Sequence, residues 1–415
     1  MMTSDPVLDD LRKVCNDRAR PAEETDAVAD VPARYVASPD STEETSEVLR
    51  LAAQHDLRVV PRGAGTKLGW GAPPTAVDLV LDTTAIAGIV EHAAGDLVAV
   101  VRAGTTVEAL QSTLAEAGQQ LALDVATSGA TVGGTVATNI SGPRRLLYGT
   151  LRDMLIGITF VRADGVVAKA GGKVVKNVAG YDFGKLLTGC YGTLGVITQV
   201  AFRLHPHPPV QYFLTIEVDD AEEAGHAVAA VIGSQVVPSA VDVHQPAEGP
   251  LSVTVLLEGT EQGVAGRVAT TTDLLGNTTA TDEAPPWFGA YPFTDGQVGL
   301  KLTTEIAGLP RLLLAVRKTA DRHRVPIAAS GSAAGVLYAG LDASVGTDVA
   351  AAVVADLRAA ADSYSGSVVA LTAPAAIRPA LDMWGPVPGL DLMRRVKDQL
   401  DPEHRLAPGR FVGGI

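Results

Sequence analysis

The chain has 415 residues, more than one hydrophobic core usually serves, so two domains are expected. Apolar residues make up 47% and charged residues 19%, a balance that excludes a disordered chain. A formal net charge of −14 with no basic stripe argues against a nucleic-acid partner.

Residues 1–40 are polar and Pro/Asp-rich, with one short helical pattern around Val7–Val14. Ser41-Thr42-Glu43-Glu44 has the form of a capping box and predicts a helix that turns Val48, Leu49 and Ala52 inward. A short buried strand over Leu57–Pro61 runs into Arg62-Gly63-Ala64-Gly65-Thr66, and β-rich stretches follow at Val77–Leu81 and Leu97–Ala103. Thr105-x-x-Glu108 predicts a second capped helix ending near Gly118. Residues 125–153 are rich in Gly, Thr and Ser. Strands are expected at Leu155–Val161, Val166–Ala170 and Thr193–Leu204, with a loop and a short helix between the last two. The run His205-Pro206-His207-Pro208-Pro209 is expected to stay out of any ladder, because each proline lacks a donor. The first domain boundary is placed there, and the two histidines read as loop residues rather than metal ligands. Beyond it the order strand (Tyr212–Val218), helix (Ala221–Ile232), strand (Val253–Leu257), helix (Thr260–Leu275) predicts an α+β unit with helices on one sheet face. The tail carries one helix, Leu390–Leu400, and ends in DPEHRLAPGRF plus a short glycine-containing terminus. Four segments result: 1–40, 41–208, 209–386 and 387–415.

Three glycine-rich elements stand out. Pro61, Arg62, Gly63, Ala64, Gly65 and Thr66 follow a strand, and closely spaced glycines let amides converge on phosphate oxygens. A tight turn would look the same, and the spacing is not the G-x-G-x-x-G of a Rossmann fold. Ser128, Gly129, Ala130, Thr131, Gly133, Gly134, Thr138 and Asn139 belong to a dozen small-residue positions that suit the wall of a long groove, or close helix packing. Gly180-Tyr181-Asp182 with Gly192–Ile197 offers strand main chain for the edge of a planar ring, or for ordinary strand packing. All three lie in one half of the chain, which favours an extended dinucleotide site over three unrelated turns.

PRGAGT, SGATVGGTVATN, YGTLRD (Tyr148–Asp153), GGKVVKNVAGYD (Gly171–Asp182) and GTLGVIT (Gly192–Thr198) together resemble the FAD-binding half of the FAD-linked oxidases, and within them the FAD-binding subunit of bacterial glycolate oxidase. The resemblance covers residues 40–207 and the ending DPEHRLAPGRF, and the middle of the chain only loosely. It implies an α+β fold with a PCMH-type FAD-binding domain of two α+β subdomains over 41–208. It further implies an α+β cap domain with an antiparallel sheet over 209–386, and a segment over 387–415 that returns to the FAD domain. By the same resemblance, residues Pro61–Thr66 would hold the FAD diphosphate, and Ser128–Asn139 would run beside it. Gly149 and Asp153 would shape that wall, and Val196 and Ile197 would meet the cofactor through their main chain. Relatives that bind FAD covalently carry a His in the first loop; this loop ends at Thr66, so non-covalent FAD is expected.

Catalytic relatives carry a motif like H-A-G-x-G-x-x-H in the cap, and the stretch here that resembles it, residues 329–338 (ASGSAAGVLY), has no His. The lone His323 nearby is no substitute for two His and a carboxylate, so no catalytic residue and no metal ligand is assigned. Ala407 replaces the Asn usual before Pro-Gly. Lys173, Lys176 and Arg410 offer positive charge for the flavin edge, or are simply solvated. Trp70, Trp287 and Trp384 read as core or interface anchors. Cys15 and Cys190 fit free thiols in a reducing compartment and are too few for an iron–sulfur cluster held by this chain alone, which takes about four.

The expected function is an FAD-binding subunit of a glycolate oxidase or dehydrogenase complex. Its partners would be FAD, a glycolate-like 2-hydroxy acid, a larger flavin-fold subunit and an iron–sulfur subunit. The alternatives are a self-sufficient FAD-dependent 2-hydroxy-acid dehydrogenase, like those acting on D-lactate, and a non-catalytic flavin-fold scaffold. The acidic N-terminal segment has no apolar run and none elsewhere reaches the roughly 18–20 residues of a membrane span. A cytoplasmic protein is expected, membrane-associated at most through a partner.

Overall fold

Apolar alternation builds three main sheets within residues 5–173 and 180–415, the part of the chain that the computed structural model describes. Helix α1 (Pro6–Cys15) is capped by Asp5, whose Oδ1 accepts from the Val7 amide at 3.1 Å, and buries Leu8, Leu11 and Cys15. It packs on α2 (Thr42–Gln54). Strands β1 (Ala19–Pro21), β2 (Tyr35–Ala37), β3 (Val59–Arg62) and β4 (Leu79–Asp82) form one sheet in the order β1-β2-β4-β3. The central neighbours are parallel, and β1 adds antiparallel at the edge. Residues before Ser41 thus supply a helix and two strands of this sheet. Ser41 Oγ accepts from the Glu44 amide at 3.2 Å, and Val48, Leu49 and Ala52 are buried. Only half of the expected capping box forms, because the Glu44 carboxylate is drawn to Arg18 at 2.9 Å.

The second sheet is antiparallel, β5-β6-β10-β8-β9, made of β5 (Ile89–Ala93), β6 (Val98–Arg102), β8 (Leu155–Val161), β9 (Val167–Gly171) and β10 (Val196–Arg203). Between β6 and β8 run α3 (Val107–Glu116), β7 (Gln119–Gln120), α4 (Val132–Thr138), α5 (Arg145–Tyr148) and α6 (Leu151–Met154), and α7 (Phe183–Leu187) precedes β10. The cap of α3 is Thr106 rather than Thr105: its Oγ1 accepts from the Ala109 amide at 3.2 Å, while the Thr105 hydroxyl serves Gly88. The proline-rich exit corrects one expectation. His205–Pro206 forms a strand, β11, antiparallel to β7. A two-residue rung at an edge needs few donors, which is where proline is tolerated. His205 itself packs edge-on against the Tyr148 ring, with centroids 4.8 Å apart.

The rest is an eight-stranded antiparallel sheet in the order β15-β12-β14-β13-β17-β18-β16-β19. Its strands are β12 (Val210–Val218), β13 (Ala240–Gln245), β14 (Leu251–Gly259), β15 (Thr279–Thr281), β16 (Val298–Thr303), β17 (Ile327–Ser332), β18 (Val336–Leu341) and β19 (Ser367–Thr372). Helices α8 (Ala221–Ile232), α9 (Glu261–Leu275), α10 (Leu309–His323) and α11 (Thr347–Asp362) cover one face. Period-two alternation decides which residue faces which way. Val368 and Ala370 of β19 join the helix-side core, whereas Val369 and Leu371 pack with Trp70 and Ile140 of the first half. The α+β class and the antiparallel cap sheet expected from the sequence are both present.

Helix α12 (Leu390–Leu400) brings the tail back to the first half. Lys397 is fully buried and donates to the Thr193 carbonyl at 2.7 Å, the Leu406 carbonyl at 2.9 Å and Asp401 Oδ2 at 2.6 Å. Leu406 then bridges in parallel to Val59.

Candidate functional site

Arg62 ends β3 and turns its side chain away from the loop that follows, pairing with Asp26 at 2.9 Å and Asp82 at 2.8 Å. The amides of Gly63–Lys67 are left free: among the described residues none of them donates to a backbone carbonyl. Across from it, Thr131 caps α4, its Oγ1 accepting from the Gly134 amide at 3.3 Å. A Cβ on Gly63 would stand 2.1 Å from that oxygen, so only glycine lets the loop come this near. On the other flank the Gly133 amide bonds the Ala103 carbonyl at 2.8 Å, fixing α4 against the end of β6.

Loop, α4 and the start of β10 together line a cleft. Pro61, Arg62, Gly63, Ala64, Gly65 and Thr66 line it, as do Thr131, Gly133, Gly134, Thr138, Val196 and Ile197, so segments distant in sequence share one wall. Ser128, Gly129, Ala130, Asn139, Gly149 and Asp153 lie outside that wall. Ser128 is exposed, the Gly129 amide is tied to Glu108 at 2.8 Å, and the Ala130 carbonyl accepts from the Val107 amide at 2.9 Å. Asn139 ends α4 in the left-handed region, at φ +51°. Gly149, at φ +80°, and Asp153, whose Oδ2 accepts from the Thr150 amide at 2.8 Å, close the turn into α6. These residues set the course of the chain instead of the cleft surface.

The cations sort differently from the sequence reading. Lys173 is exposed and pairs with Glu91 away from the cleft, and Lys176 lies outside the described residues. Arg410 does line the cleft, and so does Lys67, which the reading passed over although it directly follows PRGAGT. Lys67 is 9% exposed and Arg410 3% exposed. Arg410 Nη2 donates to the carbonyls of Leu68 at 2.9 Å and Trp70 at 2.7 Å, but Arg410 Nη1 and Lys67 Nζ have no hydrogen-bond partner among the described residues. Burial pushes Lys67 down to about 8 and Arg410 down to about 10. Two buried cations beside a run of free amides match a multiply charged anion, and the diphosphate of a dinucleotide is one.

A second, smaller cavity opens where the cap sheet meets the first half. The two adjoin along one segment: Thr138 lines the first, and Ile140, Ser141 and Gly142 line the second. Residues 329–338, the stretch without His set against the histidine motif in the sequence reading, form the β17–β18 hairpin and give this cavity Gly331, Ser332, Val336 and Tyr338. The sequence reading missed its polar members. Their signal is a polar residue between two core residues of a strand, Val241-Asp242-Val243 on β13 and Leu337-Tyr338-Ala339 on β18. The flanking residues enter the helix-side core, so Asp242 and Tyr338 face the first half.

The fold pairs a glycine-lined cleft in the first half of the chain with an antiparallel sheet, and the class of protein follows from the families that it matches. Residues 33–171 match the model of the FAD binding domain, and residues 378–411 match that of the C-terminal domain of FAD linked oxidases. Residues 33–171 are thus an FAD-binding domain, and FAD is the cofactor of the chain. It is 33% identical over 208 residues to glycolate oxidase subunit GlcD of Bacillus subtilis, covering 50% of this chain and 44% of that protein. It is 34% identical over 181 residues to glycolate oxidase subunit GlcE of Escherichia coli, covering 43% of this chain and 51% of that protein. The chain thus spans about half the length of the curated relatives it matches. The fold is similar over nearly its whole length to p-cresol methylhydroxylase with substrate bound: TM-score 0.76, 16% identity, 98% of this chain and 96% of that one.

Proposed function

We propose that the chain is an FAD-dependent oxidoreductase, one subunit of a complex that oxidises a glycolate-like 2-hydroxy acid to the 2-oxo acid and passes the electrons to partner subunits. The observation that carries this reading is the pair of adjoining cavities, one lined by glycine-rich main chain with Lys67 and Arg410, the next small and carrying Arg145 and Asp242. The cleft residues from Pro61 to Thr66, with Thr131, Gly133, Gly134, Thr138, Val196 and Ile197, would hold the cofactor, with Lys67 and Arg410 offsetting its charge. Bound FAD would supply a two-electron acceptor for the substrate. No His or Cys stands between Pro61 and Lys67, in keeping with a non-covalent attachment. Relatives named as glycolate oxidase subunits favour a complex. Cys15 and Cys190 are both buried as free thiols, which leaves the onward electron path to partners, a larger flavin-fold subunit and an iron–sulfur subunit. Among the described residues no helix is long and apolar enough to cross a membrane; the location we infer is cytoplasmic, with any membrane attachment through a partner.

The test is to purify the chain, record its visible spectrum, denature a portion, and add glycolate or D-lactate anaerobically with and without co-purified partners. A yellow protein that releases its flavin on denaturation and is bleached only with partners present is the expected result. Bleaching of the lone chain would support the self-sufficient dehydrogenase, and a colourless protein that still assembles would leave only the scaffold.

A further inference from the structure

Two consecutive arginines open α5, and they are used differently. Arg144 is neutralised by Asp124 and by Glu258 at 2.8 Å. Arg145 lines the second cavity, spends Nε on the Gly142 carbonyl at 3.1 Å, and joins no ion pair among the described residues. The same cavity is lined by Asp242, 1% exposed. One of its oxygens, Oδ2, accepts from the Gly289 amide at 2.9 Å, while Oδ1 has no partner among the described residues. A buried carboxylate oxygen left unpaired is costly, so the cavity offers an unmet acceptor as well as an unpaired cation.

We propose that this cavity recognises a small 2-hydroxy carboxylate, Arg145 pairing with its carboxylate and Asp242 accepting the hydrogen of its hydroxyl. The proposal rests on the hydroxy-acid reading above and names the residues that carry it in this chain, on a wall that has no His. Gly142, Gly289, Ala290 and Gly331 keep the remaining surface close to backbone, which suits a ligand of few atoms. The site is held stiffly. Tyr338 lines the cavity together with Arg145, and Tyr291 packs against Tyr338 at 4.8 Å and Trp70 at 5.5 Å between ring centroids. Burial pushes the Asp242 carboxyl up to about 7, as expected where no ligand hydrogen bond yet favours the anion.

Calorimetric titration of the FAD-loaded chain with D-lactate and with propionate, its counterpart lacking the hydroxyl, tests the pairing. D-lactate should bind about tenfold to a hundredfold more tightly than propionate, the range of a hydrogen bond to a charged group. Asp242→Asn keeps an acceptor for the Gly289 amide and should erase about tenfold of that preference. Arg145→Gln should weaken both acids by about tenfold or more. A preference unchanged in Asp242→Asn, undiminished binding in Arg145→Gln, or no binding of either acid by the parent protein up to about 10 mM would each overturn the proposal. The visible spectrum of each sample reports its flavin content, so loss of folding or failure of the cofactor reading is seen separately. Should either variant lose its flavin, Tyr338→Phe, which removes a hydroxyl from the cavity wall shared with Arg145, should weaken both acids; no change there would also reject the site.

Discussion

Lys67 and Arg410 bring two positive charges into one cleft, and neither joins an ion pair among the described residues. Each is held near Trp70: the Lys67 ammonium stands 5.7 Å from its ring centre, and Arg410 bonds its carbonyl. The cost of burying Lys67 appears as a pKa of about 8, and it sets the sign of a pH effect. In the free protein Lys67 binds its proton less well than the unfolded chain does, so its contribution to stability rises with pH between about 8 and the ordinary lysine value of about 10.5. FAD needs the charged form, so its affinity should move the other way, falling as pH rises through about 8. Measuring the FAD dissociation constant by quenching of flavin fluorescence across this window checks it. Lys67→Met should bind FAD about tenfold more weakly at neutral pH and with a flat profile; an equally steep profile in the variant would assign the titration to another group.

At the scale of elements, the cleft depends on how closely a loop can approach a helix start. Gly63 and Thr131 are sixty-eight positions apart (131 − 63), yet the room for one Cβ between them decides whether the Thr131 hydroxyl can reach the Gly134 amide. Gly63→Ala should drive that hydroxyl off its amide and cost about 1 kcal/mol, the usual worth of an N-cap, along with a weaker hold on FAD. In a Thr131→Ala background the cap is already lost, and adding Gly63→Ala should cost much less. Thermal melts of the four proteins in this cycle would show the non-additivity, and strictly additive shifts would mean that the contact does not govern the loop. Lys397 shows the same dependence on assembly. On α12 it reads as one of several surface cations, but the fold buries it completely to fasten the tail that carries Arg410.

For the whole molecule, the joint between cap and first half runs through Arg144. It pairs with Asp124 on its own side and with Glu258 of β14 on the other, and the Glu258 side chain is 2% exposed. Removing the cation leaves two carboxylates without a counter-charge, one of them deeply buried, which typically costs about 3–5 kcal/mol. Arg144→Gln should therefore lower the melting temperature and open the exit around residues 205–209 to proteolysis, seen as two stable fragments. A variant that melts like the parent and resists the protease would show that the domains are joined by other contacts. The second cavity depends on this joint, because Arg145 and Asp242 come from opposite sides of it.

The sequence by itself determined the local elements and the chemistry of the first loop. Amphipathic periods locate α8 and α12 to the residue and place β8 in full, because side-chain alternation and helix periodicity are properties of neighbours along the chain. The glycines of residues 61–66 announce a close approach for the same reason. Only the tertiary structure decided which small-residue positions face the cleft, that Ser128–Ala130 turn away from it, and that Lys67, Arg145, Asp242 and Tyr338 become the charged and polar groups of two cavities. A charge acquires its role from burial and from the partner it lacks, and both are set by segments tens to hundreds of residues away.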